Sequence, residues 1–108
     1  MIVQKFGGTS VGSLERIKNV ASIISNAKKK HSKIAVVCSA MSGETDRLLN
    51  LYKQIRSDIH TTEYDLLLAS GEQAAISLVS ACLNEQGIKS VPLLGFQAGF
   101  ITDAQHSK

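Results

Sequence analysis

Two short apolar segments, each followed by a glycine-containing loop and then by a helical repeat, constrain the fold of this 108-residue chain more than any other feature. The first covers residues 2–6 and stops at Gly7 and Gly8, and the second covers residues 33–39. The first suits a buried strand ended by a turn, and the second is a continuous apolar run of the kind that parallel sheets bury on both faces. The alternation predicts an α/β layered fold in which helices flank a mainly parallel sheet.

The helical segments have recognisable starts and stops. Ser13 can cap a first helix, in which apolar residues recur at helical spacing from Leu14 and the lysines at positions 28–30 complement the carboxyl end of the dipole. After a loop over residues 40–44, either Thr45 or Asp46 can cap a second helix.

The next stretch, residues 64–84, is rich in Leu and Ala but is interrupted at Ser70 and Gly71, so it predicts two helices or one with a local break. Gly87 is a plausible helix stop. Residues 90–94, with Pro92 near the start, indicate another strand, and residues 100–102 can begin one more.

Composition indicates a soluble globular domain, because 44% of residues are apolar, 19% are charged and only one is proline. The net charge of +3 comes largely from the lysines at 28–30, and aromatic residues are few and scattered, so we expect no nucleic-acid partner. No apolar run approaches the length of a membrane span, which favours the cytoplasm and no membrane partner. Cys38 and Cys82 lack a CxxC spacing and predict reduced, buried thiols.

Three histidines lie far apart in polar stretches, which favours surface positions over a metal site. They are His31, His60 and His106. Glu44 and Asp46 flank a helix start, where carboxylates favour the dipole, and we assign them no chemistry.

The strongest local signal for chemistry is the segment from Lys5 to Ser10, which reads Lys-Phe-Gly-Gly-Thr-Ser. Glycines let the backbone approach an anion closely, consecutive N–H groups can form an anion-binding nest, and a following helix adds a positive dipole end. Lys5 would add a full positive charge beside a phosphoryl group. On physical grounds alone, a tight strand-to-helix turn with a solvated Lys5 is an equally good interpretation.

The same segment resembles the lysine-led Gly-Gly-Thr-Ser loop that opens aspartate kinases, which belong to the amino-acid kinase family. Residues 39–46, Ser-Ala-Met-Ser-Gly-Glu-Thr-Asp, resemble the second loop of that family, and residues 68–72, Leu-Ala-Ser-Gly-Glu, resemble its third signature. Residues 97–99, Gln-Ala-Gly, are similar to a fourth. The matches follow the order of the family along essentially the whole chain.

This resemblance implies roles for individual residues. Lys5 would be catalytic, contacting the transferred phosphate, while Thr45 and Glu72 would hold aspartate with Ser39 as a neighbour in the pocket. The phosphate-binding loop would comprise the segment as a whole: Lys5, Gly7, Gly8, Thr9 and Ser10. Taken without the resemblance, Glu72 is better interpreted as an ordinary carboxylate at a helix N-terminus, and Thr45 can be only an N-cap.

The implied activity is transfer of the γ-phosphate of ATP, with Mg²⁺, to the side-chain carboxylate of L-aspartate. The product, 4-phospho-L-aspartate, starts the synthesis of lysine, threonine and methionine. This acceptor has a pKa of about 3.9 and is already ionised at neutral pH, so the reaction needs no general base. Alignment and charge neutralisation remain as the tasks of catalysis.

The resemblance also suggests that residues 1–108 are the amino-terminal portion of a kinase domain, without its nucleotide-binding half and regulatory domains. We therefore expect the isolated chain to be inactive and the parent enzyme to form a homo-oligomer. Two alternatives are another member of the amino-acid kinase family, and a non-catalytic dimerisation or interaction module that keeps the fold.

Overall fold

The computed structural model describes residues 1–93 of the chain. Its elements follow one another as β1 (Ile2–Phe6), α1 (Leu14–Lys28), β2 (Ile34–Cys38), α2 (Glu44–Lys53) and α3 (Thr62–Glu85). The two strands pair in parallel, with Ile2 opposite Ile34 and Phe6 opposite Cys38. The predicted α/β class and parallel pairing are thus confirmed.

One face of the sheet carries the core. Directly paired residues share a face of a sheet, so Phe6, Ile34 and Val36 point to the same side, where α1 and α3 pack. The helices contribute residues at helical spacing, as the sequence predicted for α1. The buried side chains are Ile17, Val20, Ala21 and Ile24 of α1, and Ala75, Val79 and Leu83 of α3.

Among residues 1–93, no helix covers the opposite face of the sheet. Val3 and Val37 are 65% and 44% exposed, and Lys5 is exposed on the same face. The expectation that both faces are buried is therefore wrong for residues 1–93, because α1 and α3 cover only one side.

The start of α1 follows the sequence, whereas the start of α2 does not. Ser13 caps α1, its Oγ accepting a hydrogen bond from the backbone N–H of Arg16 at 3.2 Å. For α2 the prediction of Thr45 or Asp46 as the cap was wrong, because Gly43 is the N-cap. Its φ of 82° is a left-handed conformation that glycine adopts without steric cost, and the helix begins one residue later.

The third helix is continuous. Thr61 caps α3 by accepting a hydrogen bond from the backbone N–H of Tyr64, and the helix runs unbroken past Ser70 and Gly71 to Glu85. The alternatives of two helices and of a local break are therefore both wrong. Gly71 is buried, which shows that it serves packing rather than termination. Gly87, with a φ of 85°, follows the helix end as predicted.

The predicted strand at residues 90–94 is absent from residues 90–93, and Leu94 lies outside the described residues, as do the strand expected at 100–102 and the fourth signature at 97–99. Ser90 is bound instead to α3. Its N–H donates to Oδ1 of Asn84 at 2.9 Å, and its Oγ lies 2.6 Å from that of Ser80. The backbone of Ser90 thus bonds to a helix side chain rather than to a strand.

By length and composition alone, α3 is apolar enough to cross a membrane, so the expectation that no segment approaches such a length was wrong. In the structure α3 packs against α1, α2 and β2, and 28% of its most apolar 18-residue window is buried.

Both cysteines are free thiols, as predicted. Cys38 is buried, and this burial raises the pKa of its thiol, while Cys82 is half-buried rather than buried. Of the histidines, His60 is exposed and His31 is half-buried, so the surface prediction holds fully only for the first. His106 lies outside the described residues.

Candidate functional site

Two loops meet at the carboxyl ends of the strands. We call residues 7–12 the first loop and residues 39–43 the second loop. The N–H of Ser39 donates to the carbonyl oxygen of Phe6 at 3.0 Å, and that of Ser42 donates to the carbonyl oxygen of Gly8 at 3.1 Å. In open parallel sheets, ligands bind at this edge, outside the carboxyl ends of the strands.

The first loop is compact and leaves donors free. Three successive hydrogen bonds, from Ser10 to Gly7, Val11 to Gly8 and Gly12 to Thr9, wind it into turns that lead to α1. Within residues 1–93, the backbone N–H groups of positions 7–9 have no acceptor. Consecutive free amides are what an anion-binding loop offers.

The two glycines of the first loop differ in their surroundings. A Cβ added at Gly7 would meet no atom within 4 Å, whereas one added at Gly8 would lie 2.9 Å from the carbonyl oxygen of Ala40. Gly7 therefore provides open space at the loop surface. Gly8 instead allows close contact between the two loops.

Between the loops and α3 lies a pocket of about 590 Å³. It brings together four of the residues predicted from sequence, namely Gly8, Ser39, Thr45 and Glu72. These four predicted residues come from four different elements, one each from the first loop, the second loop, α2 and α3.

The other predicted residues lie beside this pocket rather than in its lining. Gly7, Thr9 and Ser10 belong to the same first loop as Gly8 but do not line the pocket. Lys5 is near the carboxyl end of β1, opposite Val37, with its side chain on the open face of the sheet. The residues predicted to contact phosphate and those predicted to hold the substrate therefore lie on neighbouring parts of the structure.

The start of α2 lies at the pocket and carries backbone donors without an acceptor among residues 1–93. Gly43 has no side chain to cap the helix, and within residues 1–93 the backbone N–H groups of Thr45 and Asp46 have no acceptor. A helix N-terminus carries a partial positive charge and binds carboxylates through such groups. Thr45 is exposed and adds a hydroxyl at the same place.

Glu44 is engaged by a neighbour on α2. Its Oε1 lies 2.6 Å from Nη2 of Arg47, and this hydrogen-bonded pair holds the pKa of the carboxyl below its usual range and raises the pKa of the guanidinium. The carboxylate of Glu44 is thus paired within its own helix. Its position in the first turn of α2 also complements the helix dipole.

The alternative interpretation of Glu72 as a carboxylate at a helix N-terminus was wrong. Glu72 lies in the middle of α3, well past the capped end at Thr61. Its exposed side chain borders the pocket without the benefit of a helix N-terminus.

Sequence reasoning missed two charged residues. Asp65 lines the pocket with Glu72, and the seven-residue spacing, two turns of α3, is a signal that could have placed both carboxylates on one side of a helix. Arg16 donates from Nη1 to the carbonyl oxygen of Thr9 at 3.2 Å and so braces the first loop. The position of Arg16 in the first turn of α1 was the only sequence signal for this contact.

A larger cleft of about 740 Å³ follows the free edge of β2 and extends to residues 88–93. Its walls are mainly aliphatic, and of the predicted site residues only Glu72 borders it. The smaller pocket is therefore the better candidate for a polar substrate.

The sequence model of the amino acid kinase family matches residues 1–108. The chain belongs to the amino acid kinase family.

Individual relatives narrow the comparison to aspartate kinases. The chain is 49% identical to an aspartokinase of Geobacillus stearothermophilus over 106 residues, which are 98% of this chain and 26% of that protein. It is 44% identical to an aspartate kinase of Pseudomonas putida over 108 residues, 100% of this chain and 26% of that protein. The chain thus spans about a quarter of the length of these relatives.

A solved structure agrees with this result. The crystal structure of an aspartate kinase from Synechocystis superposes with a TM-score of 0.76 at 46% sequence identity, covering 80% of this chain and 15% of that one.

Gly8→Ala should separate the two loops, because the new methyl group would be too close to the carbonyl oxygen of Ala40. We expect a destabilisation of about 1–3 kcal/mol, the usual cost of overpacking. We also expect faster hydrogen exchange at the Ser42 amide, which donates to Gly8. Urea unfolding and amide exchange measure the two effects.

Gly7→Ala is the matched control, since its methyl group enters open space. If Gly7→Ala and Gly8→Ala lower the free energy of unfolding equally, the short contact between Gly8 and the second loop is not the cause of the loss.

Proposed function

We propose that this chain forms the aspartate-binding and phosphate-contacting part of an aspartate kinase. The observation that carries the proposal is the pocket at the strand ends, where Glu72 and Thr45 converge beside a glycine loop with free amide donors. The identities of 44–50% to aspartokinases favour this function over another amino-acid kinase or an interaction module.

Aspartate carries one ammonium and two carboxylate groups, and the pocket offers a partner of the right charge for each end. Glu72 accepts hydrogen bonds from the ammonium as an ion pair. The hydroxyl of Thr45 and the free N–H groups at the start of α2 receive the α-carboxylate. Ser39, half-buried between these groups, adds a hydroxyl to the pocket wall.

The side-chain carboxylate then points to the transferred phosphoryl group. One of its oxygens forms a bond to the γ-phosphorus of ATP while the bond from that phosphorus to the β,γ-bridging oxygen breaks, giving 4-phospho-L-aspartate and ADP. No proton must be removed, because the acceptor is ionised. Lys5 and the amides of Gly7, Gly8 and Thr9 neutralise the equatorial oxygens, with Ser10 closing the turn of the loop.

Mg²⁺ is expected to accompany ATP in such a reaction. Within residues 1–93, no group of three His, Cys, Asp or Glu side chains could hold a metal ion. We assign none of these residues as magnesium ligands.

The wider setting follows from the same proposal. The enzyme would act in the cytoplasm, as a homo-oligomer without nucleic-acid or membrane partners, at the first step towards lysine, threonine and methionine. It would need a nucleotide-binding half in addition to the part described here.

A chimaera tests the function of this chain directly. We define the chimaera as the Geobacillus stearothermophilus aspartokinase in which this chain replaces the matching 106-residue segment. We expect aspartate-dependent ADP formation from Mg-ATP, and none from the purified 108-residue chain alone. A folded chimaera that is inactive with aspartate, or that prefers another acceptor such as glutamate or acetylglutamate, would contradict the proposal.

Lys5→Ala in the chimaera should lower kcat by about a hundredfold, since removal of one preorganised donor to developing charge commonly has that effect. The KM for aspartate should change little, because Lys5 does not line the aspartate pocket. Lys18→Ala, which removes an exposed lysine of α1, is the control. An unchanged kcat would exclude Lys5 from the mechanism.

Glu72→Gln in the chimaera should raise the KM for aspartate by about tenfold or more, because a hydrogen bond between charged groups is lost while the shape is kept. The KM for ATP should stay nearly constant. Steady-state kinetics with each substrate varied separates the two constants. Glu85→Gln, at the exposed end of α3, is the control. Equal effects on both substrates would indicate a structural role for Glu72.

A further inference from the structure

Gly71 is a residue whose presence the backbone does not explain. It lies buried within α3, where glycine is less favourable than alanine, and its φ is not in the left-handed region, since only Gly43 and Gly87 have positive φ among residues 1–93. The reason for glycine must therefore be the space around it.

That space is filled by the second loop and the start of α2. A Cβ added at Gly71 would lie 3.2 Å from Cβ of Ala40, 3.4 Å from Cδ1 of Leu48 and 3.5 Å from Cγ of Glu44. Carbon atoms prefer separations of about 3.5–4.0 Å, so the first contact is too short to be tolerated without a shift. Because Gly71 has no side chain and faces only the methyl group of Ala40, α3 packs closely against the second loop.

Ala40 also touches the first loop from its other side. Its carbonyl oxygen is the atom that a Cβ on Gly8 would meet at 2.9 Å, and Ala40 itself is only 8% exposed. Gly8, Ala40 and Gly71 therefore form one chain of contacts from the first loop, through the second loop, to α3. We call these three residues the small-residue contact.

We propose that Gly71 is a positioning residue, which sets the separation of Glu72 on α3 from Thr45 on α2 through its contact with Ala40. The part of this proposal that concerns aspartate rests on the proposed function. Glu72 and Thr45 hold opposite ends of one small molecule, so a shift of a few tenths of an ångström between their helices weakens both contacts together. The contact of Gly71 with Ala40 does not depend on which substrate is bound.

Gly71→Ala in the chimaera should raise the KM for aspartate on the order of tenfold, since misplacement of binding groups by fractions of an ångström is costly. The KM for ATP should change less than about twofold, because the change is in the aspartate pocket. Ala40→Gly combined with Gly71→Ala moves the methyl group to the other partner and should restore the KM for aspartate. Ser70→Ala, at an exposed neighbouring position, is the control.

The double variant also covers the case in which Gly71→Ala does not fold, because it relieves the same short contact. A KM for aspartate that is unchanged in Gly71→Ala, or that stays high in the folded double variant, would overturn the proposal. Hydrogen exchange at the Ser42 amide gives a readout without turnover. We expect faster exchange in Gly71→Ala and normal exchange in the double variant. If the chimaera without further substitutions is inactive with aspartate, the proposed function is refuted. If exchange at the Ser42 amide is unaltered in Gly71→Ala, the proposed role of the contact between Gly71 and Ala40 is refuted.

Discussion

The site depends on two backbone hydrogen bonds that join the loops following β1 and β2, from Ser39 to Phe6 and from Ser42 to Gly8. The first bond extends the hydrogen-bond ladder of the parallel sheet by one residue. The sheet therefore fixes the direction in which the second loop leaves β2. The second requires the loops to approach closely, which Gly8 permits because it has no side chain. A pocket built on backbone contacts of this kind can be rigid although loops form part of its wall.

The angle between α2 and α3 is the second condition for the pocket. The hydroxyl of Tyr52 lies 2.7 Å from Oγ1 of Thr61 and donates to the carbonyl oxygen of Asp58, also at 2.7 Å. The ring of Tyr52 meets that of Tyr64 edge to face, with 5.2 Å between centroids. Aromatic pairs favour this geometry. The N-cap of α3 is thus bonded to the last turns of α2, and Thr45 and Glu72 are brought to one pocket from two helices.

Much of the fold could be predicted from local signals. The apolar runs gave both strands, and Ser13 and Gly87 marked a helix start and a helix end correctly. Prediction failed where tertiary contacts override local preference. Gly71 resembled a break because glycine weakens helices, but its small size is needed where α3 meets Ala40.

The site was predictable to a similar extent. Family motifs named Gly8, Ser39, Thr45 and Glu72, which the structure brings together around one pocket. Gly43 was overlooked as a cap because side-chain oxygens were the signal sought, whereas this helix starts from a left-handed glycine without one. Asp65 was missed because its proximity to Glu72 depends on one uninterrupted helix, which the sequence left open.

The open face of the sheet has a consequence for Lys5. Val37 lies directly opposite it and Val3 lies two residues before it, so Lys5 shares this face of the sheet with two aliphatic side chains. An element that covered this face would exclude water from Lys5 as well as from the valines. Attraction between charges grows as the surrounding dielectric constant falls, and a neighbouring phosphate would then be held far more strongly than in open solvent. The strength with which Lys5 attracts a phosphate therefore depends on whether another element covers this face of the sheet.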